Sequence, residues 1–191
     1  MFYGKDIYYW LIASTLGDIG IVWVHEEEAP VIIRVLFPRN GMSTTGMIKK
    51  DFPDAEEGLH GDLEKTCVSI GAFLDGACVD LPVKFVGIDR CRDFQRRVLL
   101  ETTRIPRGSV TSYGTLAKMI SAPGALRAVG SALARNPFPI IIPCHRVVRS
   151  DGCIGQFGGG TEVKKFLLRM EGVEIDNRGK VNTDAFFVTL A

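Results

Sequence analysis

The chain has 191 residues, 46% hydrophobic and 24% charged, with a net charge of +1. That composition belongs to a folded globular protein; it excludes disorder and a disulfide-dense miniprotein, and no apolar run approaches the roughly 18 residues of a membrane helix. Residues 1–88 carry 7 Lys/Arg against 13 Asp/Glu, and residues 89–191 carry 16 against 9. An acidic first domain (1–88) and a basic second domain (89–191) are expected, of which the second meets a polyanion.

The N-terminus, Met1–Asp6, lacks the basic stretch and apolar core of a signal peptide. Ile7–Thr15, Ile19–His25 and Val31–Phe37 are rich in Ile, Val, Tyr and Trp and predict strands, with a tight turn at Gly17-Asp18 and a connection at Glu27–Pro30. A polar stretch from Pro38 to Asp54 leads to a predicted helix over Glu56–Leu74, and Cys78–Gly87 reads as extended up to a boundary near Ile88-Asp89. Five cysteines (Cys67, Cys78, Cys91, Cys144, Cys153) form no disulfide framework, so a reducing, cytoplasmic setting is expected. Cys67 and Cys78 with His25 and His60 lack zinc-ligand spacing; no metal and no cofactor are expected.

In the second half, Cys91, Phe94, Val98 and Ile105 fall close to helical spacing until Pro106-Arg107-Gly108. A short helix over Thr115–Ser121, the turn Ala122-Pro123-Gly124, and a helix with Ala125, Ala128, Val129, Ala132 and Leu133 on one face suggest a helix-turn-helix. The other face of that second helix is nearly bare: Arg127, Ser131 and Ala134 recur at i, i+4 and i+7, with Gly130 beside them. Small residues there let the backbone approach a grooved partner while one long cation projects. The plainer alternative is an Ala-rich helix packed on both sides, which Arg127 argues against.

Asn136-Pro137-Phe138-Pro139-Ile140-Ile141-Ile142-Pro143-Cys144-His145-Arg146-Val147-Val148 carries the chemistry. Three isoleucines between prolines predict a short buried strand that delivers Cys144 and His145 at its end. A nearby His or positive charge lowers a thiol's pKa from about 8.5 and makes it nucleophilic. Consecutive side chains on a strand point opposite ways, so His145 acts through a bridging water or after a turn. Gly152, Gly155 and Gly158-Gly159-Gly160 form a pliable loop, and Thr161 is expected to cap a helix whose apolar row is Val163, Phe166, Leu167 and Met170. Glu171 falls on that row, where a carboxylate needs a partner; an orienter–base–nucleophile relay of Glu171, His145 and Cys144 follows. The alternative is a surface Glu fraying before Gly172.

Pro143-Cys144-His145-Arg146-Val147 resembles the active-site signature of the O6-alkylguanine–DNA alkyltransferases, also called methylated-DNA–protein-cysteine methyltransferases. The resemblance extends in order through Phe94-Gln95, Thr111-Ser112-Tyr113, Arg127-Ala128-Val129-Gly130, Asn136-Pro137, Gly159-Gly160 and Glu171-Gly172, over about 85 residues. It implies an α+β fold: a ribonuclease-H-like first domain with a small sheet and helix, then a mostly helical, winged-helix-like domain with the helix-turn-helix. It also implies repair of DNA by irreversible transfer of an alkyl group from O6-alkylguanine, and from O4-alkylthymine, to Cys144, in a protein that is consumed once. The implied partner is duplex DNA bound through the minor groove by a monomer, near the nucleoid in a prokaryotic host, with no membrane.

By the same resemblance, His145 (through water) and Glu171 would raise the thiolate population. Tyr113 would press on a phosphate and protonate the leaving base at N3. Arg127 would enter the stack in place of the flipped guanine, and Asn136 would hold the turn before the active site. Ala128, Gly130, Ser131, Arg135 and Arg146 would contact DNA; Pro139, Val147, Phe157, Gly158 and Gly159 would line the base pocket. Phe157-Gly158 departs from the tyrosine and serine of many members, which removes two hydroxyls. Cys153 reads as a small hydrophobe, with a second reactive thiol as the alternative. Three other functions compete: a non-catalytic sensor of alkylated DNA, a sequence-specific regulator and a cysteine hydrolase. Cys144 argues against the first, the bare recognition face against the second, and the lack of a marked water site against the third.

Overall fold

A computed structural model describes residues 6–187 apart from 28 and 40. Met1–Lys5 of the N-terminal stretch, Glu28 of the second connection and Asn40 of the polar stretch therefore lie outside the described residues. The chain divides into two units, Met1–Gly87 and Ile88–Ala191.

In the first unit, β1 (Ile7–Ile12), β2 (Ile19–Glu26) and β3 (Ala29–Leu36) form an antiparallel meander, and β4 (Glu56–Glu57) adds to β1 in parallel, giving the order β3-β2-β1-β4. Ile19 to Val24 are all buried, as befits a central strand covered on both faces. Two helices accompany the sheet, α1 (Thr44–Asp51) and α2 (Gly61–Leu74), and α2 buries Leu63, Cys67, Ile70 and Leu74 at helical spacing. Tyr9, Val22, Val24, Ile33, Ile48 and Ala55 form a core between sheet and helix.

Three expectations need correction here. The polar stretch contains α1, whose start is capped by Ser43 accepting from the Gly46 N–H at 3.1 Å. The next helix begins at Gly61 and not at Glu56, because Glu56 and Glu57 pair with Tyr8 and Tyr9 as β4 and His60 caps the helix through Nδ1. Cys78–Gly87 makes no regular strand; only Val86 bridges Ile32, flanked by Ile32 N–H to Phe85 O at 2.7 Å and Gly87 N–H to Ile32 O at 2.9 Å.

In the second unit, α3 (Asp93–Thr102) buries Val98, Leu99 and Thr102 and ends three residues short of Ile105, which packs inward from the following turn. Strand β5 (Thr111–Ser112) runs directly into α4 (Tyr113–Met119), capped by Ser112 accepting from Thr115 N–H at 3.0 Å. The helix α5 (Leu126–Ala134) packs on α4 and turns Val129, Ala132 and Leu133 inward, each large apolar side chain contributing about 1.5–3 kcal/mol. Ala128, grouped with that inner row by spacing, is exposed. Gln95 on α3 fixes the far end of α5 by donating Nε2 to the carbonyls of Ala132 at 3.2 Å and Arg135 at 2.9 Å. Strand β6 (Val147–Val148) pairs in parallel with β5, and α6 (Thr161–Met170) follows. Val110, Val148, Ile154, Leu168, Val173 and Val181 close the core beneath.

Among the described residues, no helix is long and apolar enough to cross a membrane. One glycine ties the first unit together: a Cβ at Gly20 on β2 would lie 2.7 Å from Thr44 Cγ2 and 2.8 Å from Ile48 Cδ1. Replacing Gly20 by alanine is therefore expected to lower the free energy of urea unfolding by about 1–3 kcal/mol. A midpoint unchanged from the parent would show that α1 yields freely.

Candidate active site

The triple isoleucine does not form the predicted strand. Pro139 bridges Ile142 across a tight turn, Ile142 N–H donates to Phe138 O at 2.8 Å, and Ile140 sits at φ +74°. A β-branched residue is strained in that left-handed region and stays there only if its surroundings hold it. Asn136 does the holding. Its Oδ1 accepts from Phe138 N–H at 2.9 Å, while Nδ2 donates to Ile142 O and to Cys144 Sγ, both at 3.1 Å. Cys144–Arg146 then form one 3-10 turn leading into β6, so Cys144 and His145 leave a turn and not opposite faces of a strand.

Both His145 and Glu171 have completely buried side chains, and His145 Nε2 meets Glu171 Oε1 at 3.0 Å. Arg146 completes the cluster through Nε to Oε2 at 2.9 Å and Nη2 to Oε1 at 2.7 Å, and its Nη1 donates to Ile105 O at 2.6 Å. Burial alone would raise the Glu171 carboxyl, but hydrogen bonds and charge from His145 and Arg146 outweigh it and hold the group near 2. Burial pushes His145 below its ordinary value in spite of Glu171. Arg146 thus supplies the countercharge, and His145 rests as a neutral imidazole donating Nε2–H to the carboxylate.

Burial also pushes the Cys144 thiol up, against the pull of the Asn136 amide and the Lys164 ammonium. Burial therefore works against the thiolate that the relay is expected to favour. Lys164 is itself buried on α6, donates Nζ to Val147 O and lies 6.0 Å from the centre of the Tyr113 ring. Burial lowers its pKa to about 8. Tyr113 is raised by burial and by the Cys144 charge, with Arg149 opposing.

A cleft of about 600 Å³ opens over Cys144 and is lined by Tyr113, Arg127, Gly130, Ser131, Leu133, Ala134, Arg149, Gly155, Gln156 and Phe157. Arg127, Ser131 and Ala134 are exposed on α5, and Phe157 sets its ring edge-on to His145, centroids 6.4 Å apart. The other expected residues stand apart from this lining. Asn136 lies beneath Cys144; Val147 is buried in β6; Pro139 belongs to the supporting turn. Ala128 and Arg135 are exposed on and just after α5, Gly158 is exposed, and Gly159 lies under the Phe157 ring, where a Cβ would come within 3.1 Å. Arg146, expected on DNA, faces inward, because its guanidinium neutralises Glu171. Thr161 does not cap α6; Gly160, at φ +93°, occupies the cap position without a side-chain bond. Among the described residues no group of three or more His, Cys, Asp or Glu could hold a metal ion.

The family described as 6-O-methylguanine DNA methyltransferase, DNA binding domain, matches residues 93–173. The methylated-DNA–protein-cysteine methyltransferase of Methanothermobacter thermautotrophicus is 39% identical over 163 residues, 85% of this chain and 84% of the relative. The chain belongs to the methylated-DNA–protein-cysteine methyltransferase family. The Thermococcus kodakarensis methyltransferase is 46% identical over 102 residues, 53% of this chain and 55% of its own length. Among solved structures, the Mycobacterium tuberculosis O6-methylguanine methyltransferase superposes with a TM-score of 0.69 at 29% identity, covering 86% of this chain and 92% of that one.

Sequence reasoning missed Lys164 and Arg149 in this methyltransferase. Lys164 was legible: it lies seven residues before Glu171 and three before Leu167, so it shares their buried face. Arg149 carried no such signal, since it follows β6 in a loop.

Because the Glu171 pKa is depressed in the folded chain, its contribution is complete above about pH 4.5 and fades as pH falls toward 2, on the order of 3 kcal/mol in all. Urea unfolding across that range should show this loss in the parent and not in Glu171→Gln. At neutral pH the variant should be less stable by about 3–5 kcal/mol, with Arg146 left buried and unmatched. Parallel pH profiles for the two proteins would refute the assignment.

Proposed function

We propose that the chain is a single-use methyltransferase that repairs DNA by moving the alkyl group of O6-alkylguanine onto Cys144. The observation that carries this reading is the arrangement at the cleft floor. A buried thiol touches the Asn136 amide at 3.1 Å, and the base beside it, His145, is kept neutral by its burial while it meets a carboxylate whose charge Arg146 balances. The Mycobacterium tuberculosis relative has been solved in complex with DNA, at 30% identity and a TM-score of 0.69, which supports DNA as the partner.

A guanine inside a duplex hides its O6, so the damaged nucleotide must be turned out into the cleft at a cost of a few kcal/mol. Arg127, the one long cation on the bare α5 face, offsets that by entering the stack, while Gly130, Ser131 and Ala134 let the helix backbone close on the minor groove. With Nε2 engaged by Glu171, His145 takes the Cys144 proton at Nδ1 through a water. Sulfur attacks the alkyl carbon, the carbon–O6 bond breaks, and its electron pair returns to the base, which Tyr113 protonates at N3. Lys164 holds negative charge at the sulfur as it develops. The product is a thioether, and among the described residues that line the cleft none is placed to cleave it again. Phe157 packs on the flipped base without the hydroxyl a tyrosine would bring. All these groups come from one chain, so the protein acts as a monomer, wherever the host keeps its DNA.

Mixing the protein with a duplex carrying one radiolabelled O6-methylguanine should move label to protein until one methyl per chain is reached, on Cys144 by peptide mapping. Cys144→Ser should bind DNA and take no label. Repeated turnover would instead identify a hydrolase, and tight binding without transfer a sensor. The parent's rate is expected to fall above about pH 8 as Lys164 loses its proton; Lys164→Met should slow transfer roughly 10- to 100-fold and abolish that fall. A variant that kept the parent's alkaline limb would rule Lys164 out as its source.

A further inference from the structure

The cleft over Cys144 is cationic on two elements, and the mechanism uses only one of them. Among the described residues that line it, Arg127 comes from α5 and Arg149 from the segment after β6, and none is acidic. Arg149 has a side chain 64% exposed, and its pairing with Asp151 is loose: Nε to Oδ1 is 3.5 Å, and the Asp151 side chain is 45% exposed. Such a surface pair contributes little and exchanges readily. Asp151 does not depend on it, because its Oδ1 also accepts from the Cys153 N–H at 3.1 Å.

Gly155 relates Arg149 to Tyr113 in space. A Cβ at Gly155 would lie 3.2 Å from the Tyr113 hydroxyl and 3.7 Å from Arg149 Cγ, so the two side chains flank one spot on the loop. The Arg149 charge reaches Tyr113, whose phenol it pulls down against burial and the Cys144 charge. A guanidinium is a planar fork of donors matched to phosphate oxygens, and here its stem flanks the same glycine as the Tyr113 hydroxyl.

We propose that Arg149 is a phosphate-binding residue of the cleft: it leaves Asp151 and takes a phosphodiester oxygen pair next to the nucleotide that Tyr113 contacts. This rests on DNA being the substrate. Arg127 and Arg149 then act differently, the first on the base stack and the second on the strand that carries the flipped nucleotide. Asp151 serves as a resting partner that keeps the arginine near the cleft mouth until DNA arrives.

The test is equilibrium binding of the 191-residue chain to an unmodified duplex, by fluorescence anisotropy over a series of KCl concentrations. Arg149→Gln should weaken binding about tenfold and reduce the slope of log K against log salt by about 0.9, the signature of one lost phosphate contact. Arg149→Lys should keep the slope while losing part of the affinity, because it retains the charge without the fork. Asp151→Asn, which still offers an oxygen to the Cys153 N–H, should strengthen binding, and that gain should shrink in the Arg149→Gln background. An unchanged salt slope in Arg149→Gln, or weakened binding in Asp151→Asn, overturns the proposal. The labelled-methyl assay on the parent separates the two readings. Transfer with an unchanged slope sinks only the Arg149 assignment, whereas absence of transfer sinks the repair function and leaves the slope to decide Arg149.

Discussion

A carboxylate with no exposure to water sets the terms for the second unit. Glu171 ends α6, and its burial is tolerable only because Arg146 neutralises it and His145 donates to it. Those two contacts pin the turn that carries Cys144 against α6, and the Arg146 bond to Ile105 O ties the same turn to the segment after α3. One ionised group therefore fixes three parts of the chain at once. It also bears on the proposed chemistry: burial, with Arg146 supplying the countercharge, keeps the imidazole neutral, the state a base requires.

The second determinant is mechanical. Between α5 and the reactive turn the chain must reverse within a few residues, and it does so with Ile140 in a conformation that β-branched residues avoid. Asn136 restrains both sides of that reversal and touches the sulfur with the same amide. Helix position and thiol position are thus coupled through one side chain: Gln95 fixes the end of α5, the chain turns at Asn136, and Cys144 follows. The bare face of α5 and the buried thiol therefore share one frame.

Much of this was legible in the sequence. The three-stranded meander follows from β-branched and aromatic runs, and the bare face of α5 follows from spacing, since Arg127, Ser131 and Ala134 are exposed where a solvated helix would carry long side chains. Glu171 reads as buried because it extends an apolar row. The misreadings have distinct causes. Pro38–Asp54 looks like a loop because α1 buries only Thr44, Met47 and Ile48. Ile140-Ile141-Ile142 looks like a strand because nothing in the side chains announces a left-handed residue held by a neighbour's amide. Arg146 looks like a phosphate ligand because a charge's partner is visible only once the fold places Glu171 beside it. Lys164 gives little signal by residue type, because lysine is seldom buried, although helical spacing sets it on the face of Glu171.

The residue after Asn136 is proline, and this bears on how the protein ages. Asparagine side chains are lost over time when the next backbone nitrogen attacks the amide carbonyl and closes a succinimide. Proline's nitrogen is already fully substituted and carries no hydrogen, so Asn136 is shielded from that route by Pro137. On the proposed single-use chemistry, the protein spends its existence waiting. The amide that touches its sulfur is placed, by the identity of a single neighbour, to outlast the wait.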